Sequence, residues 1–111
     1  MKKILILLIT YITLSQISSA KPDPNFHIYL CIGQSNMQGV NKPEKQDSIQ
    51  NDRFLMMATS SVESKRKLYK WYPATPPLAH HYNFLSPMIS FGNEMTQLTN
   101  DDIQIGVIVV A

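Results

Sequence analysis

Gly33-Gln34-Ser35-Asn36-Met37-Gln38-Gly39 stands directly behind the apolar run Phe26 to Ile32 and holds the residue best placed for chemistry, Ser35. An apolar run of this length that stops at a glycine reads as a buried strand. It delivers a small polar residue to the carboxyl edge of a sheet, where open α/β folds place their reactive groups. Ser35 is read as a nucleophile. A free serine hydroxyl is a poor one until a neighbouring base takes its proton, so its setting matters. A tight strand-to-helix turn would expose the hydroxyl and aim backbone N–H groups into the same space. Gly33 suits such a turn through backbone angles closed to other residues, and Gln34 and Asn36 flank the serine as supporting turn residues. With Ser35 to Gln38 as a first helical turn, the Ser35 N–H lies at a helix start and can stabilise a developing oxyanion. The plain alternative is an ordinary polar turn.

Other serine and phosphate motifs fail on spacing. A nucleophile elbow needs G-x-S-x-G, and Met37 occupies the place of its last glycine. A P-loop needs Gly-Lys followed by Ser or Thr, whereas Gly39 is followed by Val40 and Asn41. Three histidines could in principle serve Ser35 as a base: His27 on the first strand, and His80 and His81 in a long loop. Their places favour a packed or edge residue for His27 and loop residues without a catalytic role for the other two. Adjacent histidines on an extended loop diverge, and no spaced partner cluster is visible, so no metal site is expected.

The seven residues, with the strand before them, resemble the first block of the SGNH (GDSL-like) hydrolases. The closer likeness is to the sialate O-acetylesterase and acetylxylan esterase branch, where GQSNM replaces the GDS of the wider superfamily. The spacing of Trp71-Tyr72 and Pro77-Leu78 also fits that branch. The resemblance runs from Phe26 to Ala111. It implies an α/β fold, three-layer and flavodoxin-like with a parallel sheet, and a serine esterase that removes O-acetyl groups from carbohydrate without metal or organic cofactor. It also implies an Asp-x-x-His pair supplying the base and its orienter, with a further glycine and asparagine completing the oxyanion hole. None of these maps onto a residue of this chain, so only Ser35 and its turn carry over.

The elements that must position Ser35 follow from pattern. Phe26 to Ile32 is apolar at nearly every position, as expected of a central strand covered on both faces. Val40 to Asp52 is polar, contains Pro43 and reads as a surface connection with at most a turn of helix. Phe54 to Ala58 predicts a second strand. Thr59 to Leu85 reads as a long loop, rich in proline and lined with Tyr69, Trp71, Tyr72, Tyr82 and Phe84. A loop of that length inside a domain is unusual unless functional. Its aromatics either anchor it to the body of the domain or stack on a sugar ring, and Trp71 is the candidate for sugar contact. Ser86 as N-cap and Pro87 at the first helical position open a helix, with Met88, Phe91, Met95 and Leu98 on one face. Gly92 in its middle costs about 1 kcal/mol against alanine, which close approach of helix to sheet would offset. Asn100 ends the helix before a last strand, Ile103 to Ala111.

Met1 to Ala20 reads as a secretory signal: Lys2 and Lys3, an apolar stretch from Ile4 to about Leu14, and the small residues Ser18-Ser19-Ala20. The apolar stretch is too short for a spanning helix. A secreted, periplasmic or surface location is expected, with residues 21–111 forming the amino-terminal part of an esterase domain. Removing the signal removes two of ten basic residues and leaves eight against eight acidic ones. A formally neutral chain argues against nucleic acid or anionic membrane as partner, and the resemblance implies an acetylated carbohydrate as the partner. Lys65-Arg66-Lys67 with Lys70 reads as a solvated loop. The single cysteine, Cys31, offers no intrachain disulfide and reads as a buried small hydrophobe.

The sequence stops at Val107-Ile108-Val109-Val110-Ala111, inside an apolar strand, and reads as a fragment expected to be inactive. A second reading, from a different class, is a secreted carbohydrate-binding protein that keeps the scaffold without catalysis.

Overall fold

Strand β1 (Phe26–Ile32) reproduces its apolar run residue for residue in a computed structural model, which describes residues 21–60, 65–79, 82 and 84–111. The segment read as a secretory signal, His80 and His81 lie outside the described residues. After β1 come the one-turn helix α1 (Ser35–Gln38), a 3-10 turn (Lys45–Ser48) and strand β2 (Phe54–Met57). Strand β3 (Trp71–Pro73), helix α2 (Met88–Leu98) and strand β4 (Gln104–Val110) complete the order. The fold class is α/β, as expected.

The sheet differs from the expected parallel one. Its order is β1-β4-β2-β3; β4 runs parallel to both β1 and β2, and β3 is antiparallel to β2, so the sheet is mixed. The segment read as a long loop therefore contains a short strand. It returns beside β2 because Tyr69 N–H donates to Ala58 O and Ala58 N–H to Lys70 O, a tight non-local pairing that turn residues do not advertise. Among the described residues β1 is an edge strand and not a central one, with only β4 beside it.

Register sorts the strands into two faces. Tyr29 and Cys31 stand beside Val107 and Val109, and Phe54 and Met56 beside Ile105 and Val107. This face is buried under α2, with Ile105, Val107 and Val109 at 1% exposure or less. The helix turns toward it a stripe shifted from the expected one: Ile89, Gly92 and Thr96 are buried, Met88, Phe91 and Met95 pack at the flanks, and Leu98 is exposed. Gly92 lies against the Phe54 ring, where a β-carbon would collide, so close approach does account for the mid-helix glycine. Phe91 and Tyr29 meet edge to face at 5.2 Å.

The opposite face is open over much of its length. Ile28, Leu30, Ile32 and Val110 are 53, 63, 68 and 48% exposed. It is covered where Phe26 and Trp71 meet edge to face at 4.9 Å above Gly106.

Two arginines tie the connections down through backbone carbonyls. Arg53 donates to Asn100 O, Ile103 O and Thr96 O and pairs with Asp101 at 3.5 Å, closing the carboxyl end of α2, where unpaired carbonyls favour a cation. Arg66, read as part of a solvated cluster, is half-buried and donates to Pro77 O, Thr75 O and Thr75 Oγ1. Burial pushes its guanidinium down from the usual value, and the Tyr72 phenol acts the other way. Lys65, Lys67 and Lys70 remain exposed.

Candidate active site

Gly33 N–H donates to Val110 O at 3.0 Å, carrying the β1–β4 ladder one residue past β1 before the chain leaves the sheet. Ser35 follows as the first residue of α1, exposed, at the carboxyl end of the parallel strands. Gly33 serves the turn by its size: a β-carbon there would lie 2.6 Å from Met37 Cβ. The residue whose backbone needs glycine is Gly39, with φ 96°, and a side chain there would overlap the Leu85 carbonyl.

Within the turn, Met37 and Gln38 donate their N–H groups to Gln34 O, and Gly39 donates to Ser35 O. The N–H groups of Ser35 and Asn36 have no acceptor among the described residues. Beside the Ser35 hydroxyl, they are the donors that a developing oxyanion could meet. Gln34 and Asn36 are exposed and carry no side-chain capping bond to the turn.

The turn is held from below and behind. Met37 packs on the core, and its carbonyl accepts the Ser86 hydroxyl at 2.6 Å. The N-cap of α2 is Pro87, one residue later than read, but Ser86 still accepts the Met88 N–H of the first turn at 3.3 Å while bracing α1. Leu85 N–H donates to Asn41 O at 2.8 Å, fixing the chain just beyond Gly39. Sequence reasoning read Ser86 as the cap and missed it as a brace, because its second partner is a backbone carbonyl far along the chain.

The other candidates are not brought to Ser35. Trp71, the residue read for sugar contact, packs on Phe26 at the amino end of β1. Its backbone pairs with Met57 on β2 while its ring leans over Gly106, so it anchors the β3 edge to the open face of the sheet. His27 is exposed near the amino end of β1. Among the described residues no side chain hydrogen-bonds the Ser35 hydroxyl, and no group of three His, Cys, Asp or Glu residues could hold a metal ion. Cys31 is buried as expected, and burial pushes its thiol above the usual value. No helix among the described residues is long and apolar enough to cross a membrane.

Comparison with solved structures finds no match. A family model described as carbohydrate esterase, sialic acid-specific acetylesterase, matches residues 25–111, from the residue before β1 through every element that positions Ser35, and the chain belongs to that family.

Proposed function

We propose that this chain is the nucleophile-bearing part of an exported serine esterase that removes O-acetyl groups from a carbohydrate. The observation that carries the reading is Ser35 itself, exposed at the head of α1, where the N–H groups of Ser35 and Asn36 have no acceptor among the described residues. Ser35 Oγ would attack the acetyl carbonyl while a histidine base takes its proton. The carbonyl oxygen would gather charge against the two N–H groups, the sugar hydroxyl would leave with the proton, and water would then hydrolyse the acetyl-serine.

No base stands at Ser35 among the described residues, and the family resemblance places it in an Asp-x-x-His block that this chain does not contain. The chain alone is accordingly proposed to be inactive. The open apolar face of the sheet supports a three-layer, flavodoxin-like arrangement for the complete domain, since a sheet that apolar on both sides asks for helices on both.

Mass spectrometry after treatment with a fluorophosphonate tests this reading. In a polypeptide that joins this chain to the family's Asp-x-x-His block, the adduct is expected on Ser35, and Ser35→Ala should abolish both adduct and acetate release. An adduct on any other residue overturns the assignment.

A further inference from the structure

Lys65, Lys67 and Lys70 stand exposed on the connection from β2 to β3, and between the last two lie Leu68 and Tyr69, 40 and 72% exposed. We propose that this segment is a peripheral attachment site for an anionic bilayer surface, with the three ammonium groups meeting lipid headgroups and the Leu68 and Tyr69 side chains entering the interfacial layer. The proposal is independent of the esterase reading and adds a partner to it.

The first observation is where the charge lies. Residues 21–111 are formally neutral, yet three of their eight cations stand exposed within six positions, and none of the three is ion-paired among the described residues. A neutral total argues against an anionic surface only where the charges are mixed. Each lysine near an anionic leaflet strengthens attachment by about fivefold, an effect that falls off within a Debye length.

The second is the apolar pair among those charges. An aromatic ring with a polar tip suits the boundary between headgroups and acyl chains, and lysine stems can lie along apolar surface while their charges stay in water. A dissolved polyanion would meet the cations and leave Leu68 in water, whereas a bilayer takes both halves of the segment.

The third is the way the segment is held. Arg66, the fourth cation of the cluster, turns inward and donates to Pro77 O, Thr75 O and Thr75 Oγ1. Lys67 N–H donates to the Tyr72 hydroxyl at 2.9 Å, Tyr69 N–H to Ala58 O at 2.8 Å, and Ala58 N–H to Lys70 O at 3.0 Å. Lys65 and Tyr69 take φ of 54° and 60°, a conformation that bulky residues seldom adopt. The bonds around them hold it, so the exposed side chains project from a fixed frame and attachment has little backbone left to order.

The test is acetylation footprinting of the whole chain on vesicles, read lysine by lysine in a mass spectrometer. The vesicles are phosphatidylcholine alone or phosphatidylcholine mixed with phosphatidylserine. The apolar stretch from Ile4 to Leu14 can carry the chain to either kind, so the site-resolved rates decide and not the total bound. Lys42 and Lys45, exposed elsewhere, serve as internal references. Lys65, Lys67 and Lys70 are expected to react about fivefold more slowly on the mixed vesicles, with protection that fades as salt rises and with Lys42 and Lys45 reacting alike on both.

Lys67→Gln should speed the reaction of Lys65 and Lys70 on mixed vesicles. Leu68→Gln with Tyr69→Asn should weaken the protection and leave Lys42 and Lys45 unchanged; asparagine accepts the left-handed backbone at position 69, so the frame is kept. Equal rates on the two vesicles, protection shared equally by Lys42 and Lys45, or protection unmoved by either variant would each overturn the site. Protection by dissolved polyglutamate as strong as that by mixed vesicles would assign the cluster to polyanions and overturn the bilayer as its partner. The fluorophosphonate result at Ser35 bears on none of these outcomes.

Discussion

The two faces of the sheet are built from the same strands and nearly the same residue types, yet one is a core and the other a surface. On the first, Ile105, Val107, Val109, Phe54 and Met56 are closed under α2. On the second, Ile28, Leu30 and Ile32 alternate with core residues along β1 and stand more than half exposed. The difference lies in the connections. The route from β2 to β4 carries an eleven-residue helix that can blanket a face, whereas the route from β1 to β2 carries only α1 and a 3-10 turn of four residues each. Apolar composition makes a strand able to be buried, but the length of helix in the crossover decides whether it is.

The strongest way to break this comparison is to truncate both faces. Phe54→Ala should cost about 3–5 kcal/mol and leave no cooperative transition in urea, while Leu30→Ala should stay within about 0.5 kcal/mol. Comparable losses would mean that the open face is covered after all. Gly92→Ala sharpens the contrast on the helix side: propensity predicts a gain of about 1 kcal/mol, but the Phe54 ring fills the space, and a net loss of about 1–3 kcal/mol is expected. A gain in melting temperature would show that the helix can lift away from the sheet.

Arg53→Met should cost about 1–2 kcal/mol by stripping the carboxyl end of α2 of its donors. Amide exchange would show it as fraying confined to residues 95–100. The smallest effect on stability belongs to the open face itself: Leu30→Lys should leave the urea midpoint almost unchanged yet reduce self-association in sedimentation velocity, since an exposed apolar face and an unpaired strand edge both invite contact between copies.

Cys31 gives the covered face a pH signature. Its thiol is held protonated by burial, so the stability this lends is complete below the ordinary thiol range and is lost as pH rises through the raised value. Urea midpoints in the wild type should fall above about pH 8.5 more steeply than in Cys31→Ala; parallel curves would mean that the thiol is exposed.

Much of the scaffold was legible because it is written in contiguous patterns. The apolar runs marked β1, β2 and β4 to within a residue or so, the Ser86-Pro87 pair marked the start of α2, and Gly33 to Gly39 marked the turn that presents Ser35. The errors share a cause, dependence on partners distant in sequence. Three-residue β3 exists only because β2 is beside it. The buried stripe of α2 was misplaced because two of its members, Gly92 and Thr96, are not apolar by type; the first is chosen for a ring above it and the second because Asn51 and the Asn93 carbonyl satisfy its hydroxyl. Arg53 and Arg66 bind carbonyls, which every residue has and no motif encodes. For Trp71 the sequence left anchoring and sugar contact open, and it is the ring of Phe26, distant in sequence, that Trp71 packs on.

The Ser86 hydroxyl bond to the Met37 carbonyl joins residues 49 positions apart, and this sets an order of events during folding. A turn of four residues is too short to persist on its own in water. Its brace arrives only after the chain has closed a loop of that length, at an entropic cost that grows slowly with length but must be met before the contact forms. The nucleophile turn is thus completed late, once β2 and the amino end of α2 are in place, and a peptide ending near residue 45 would contain every residue of the motif without holding its shape.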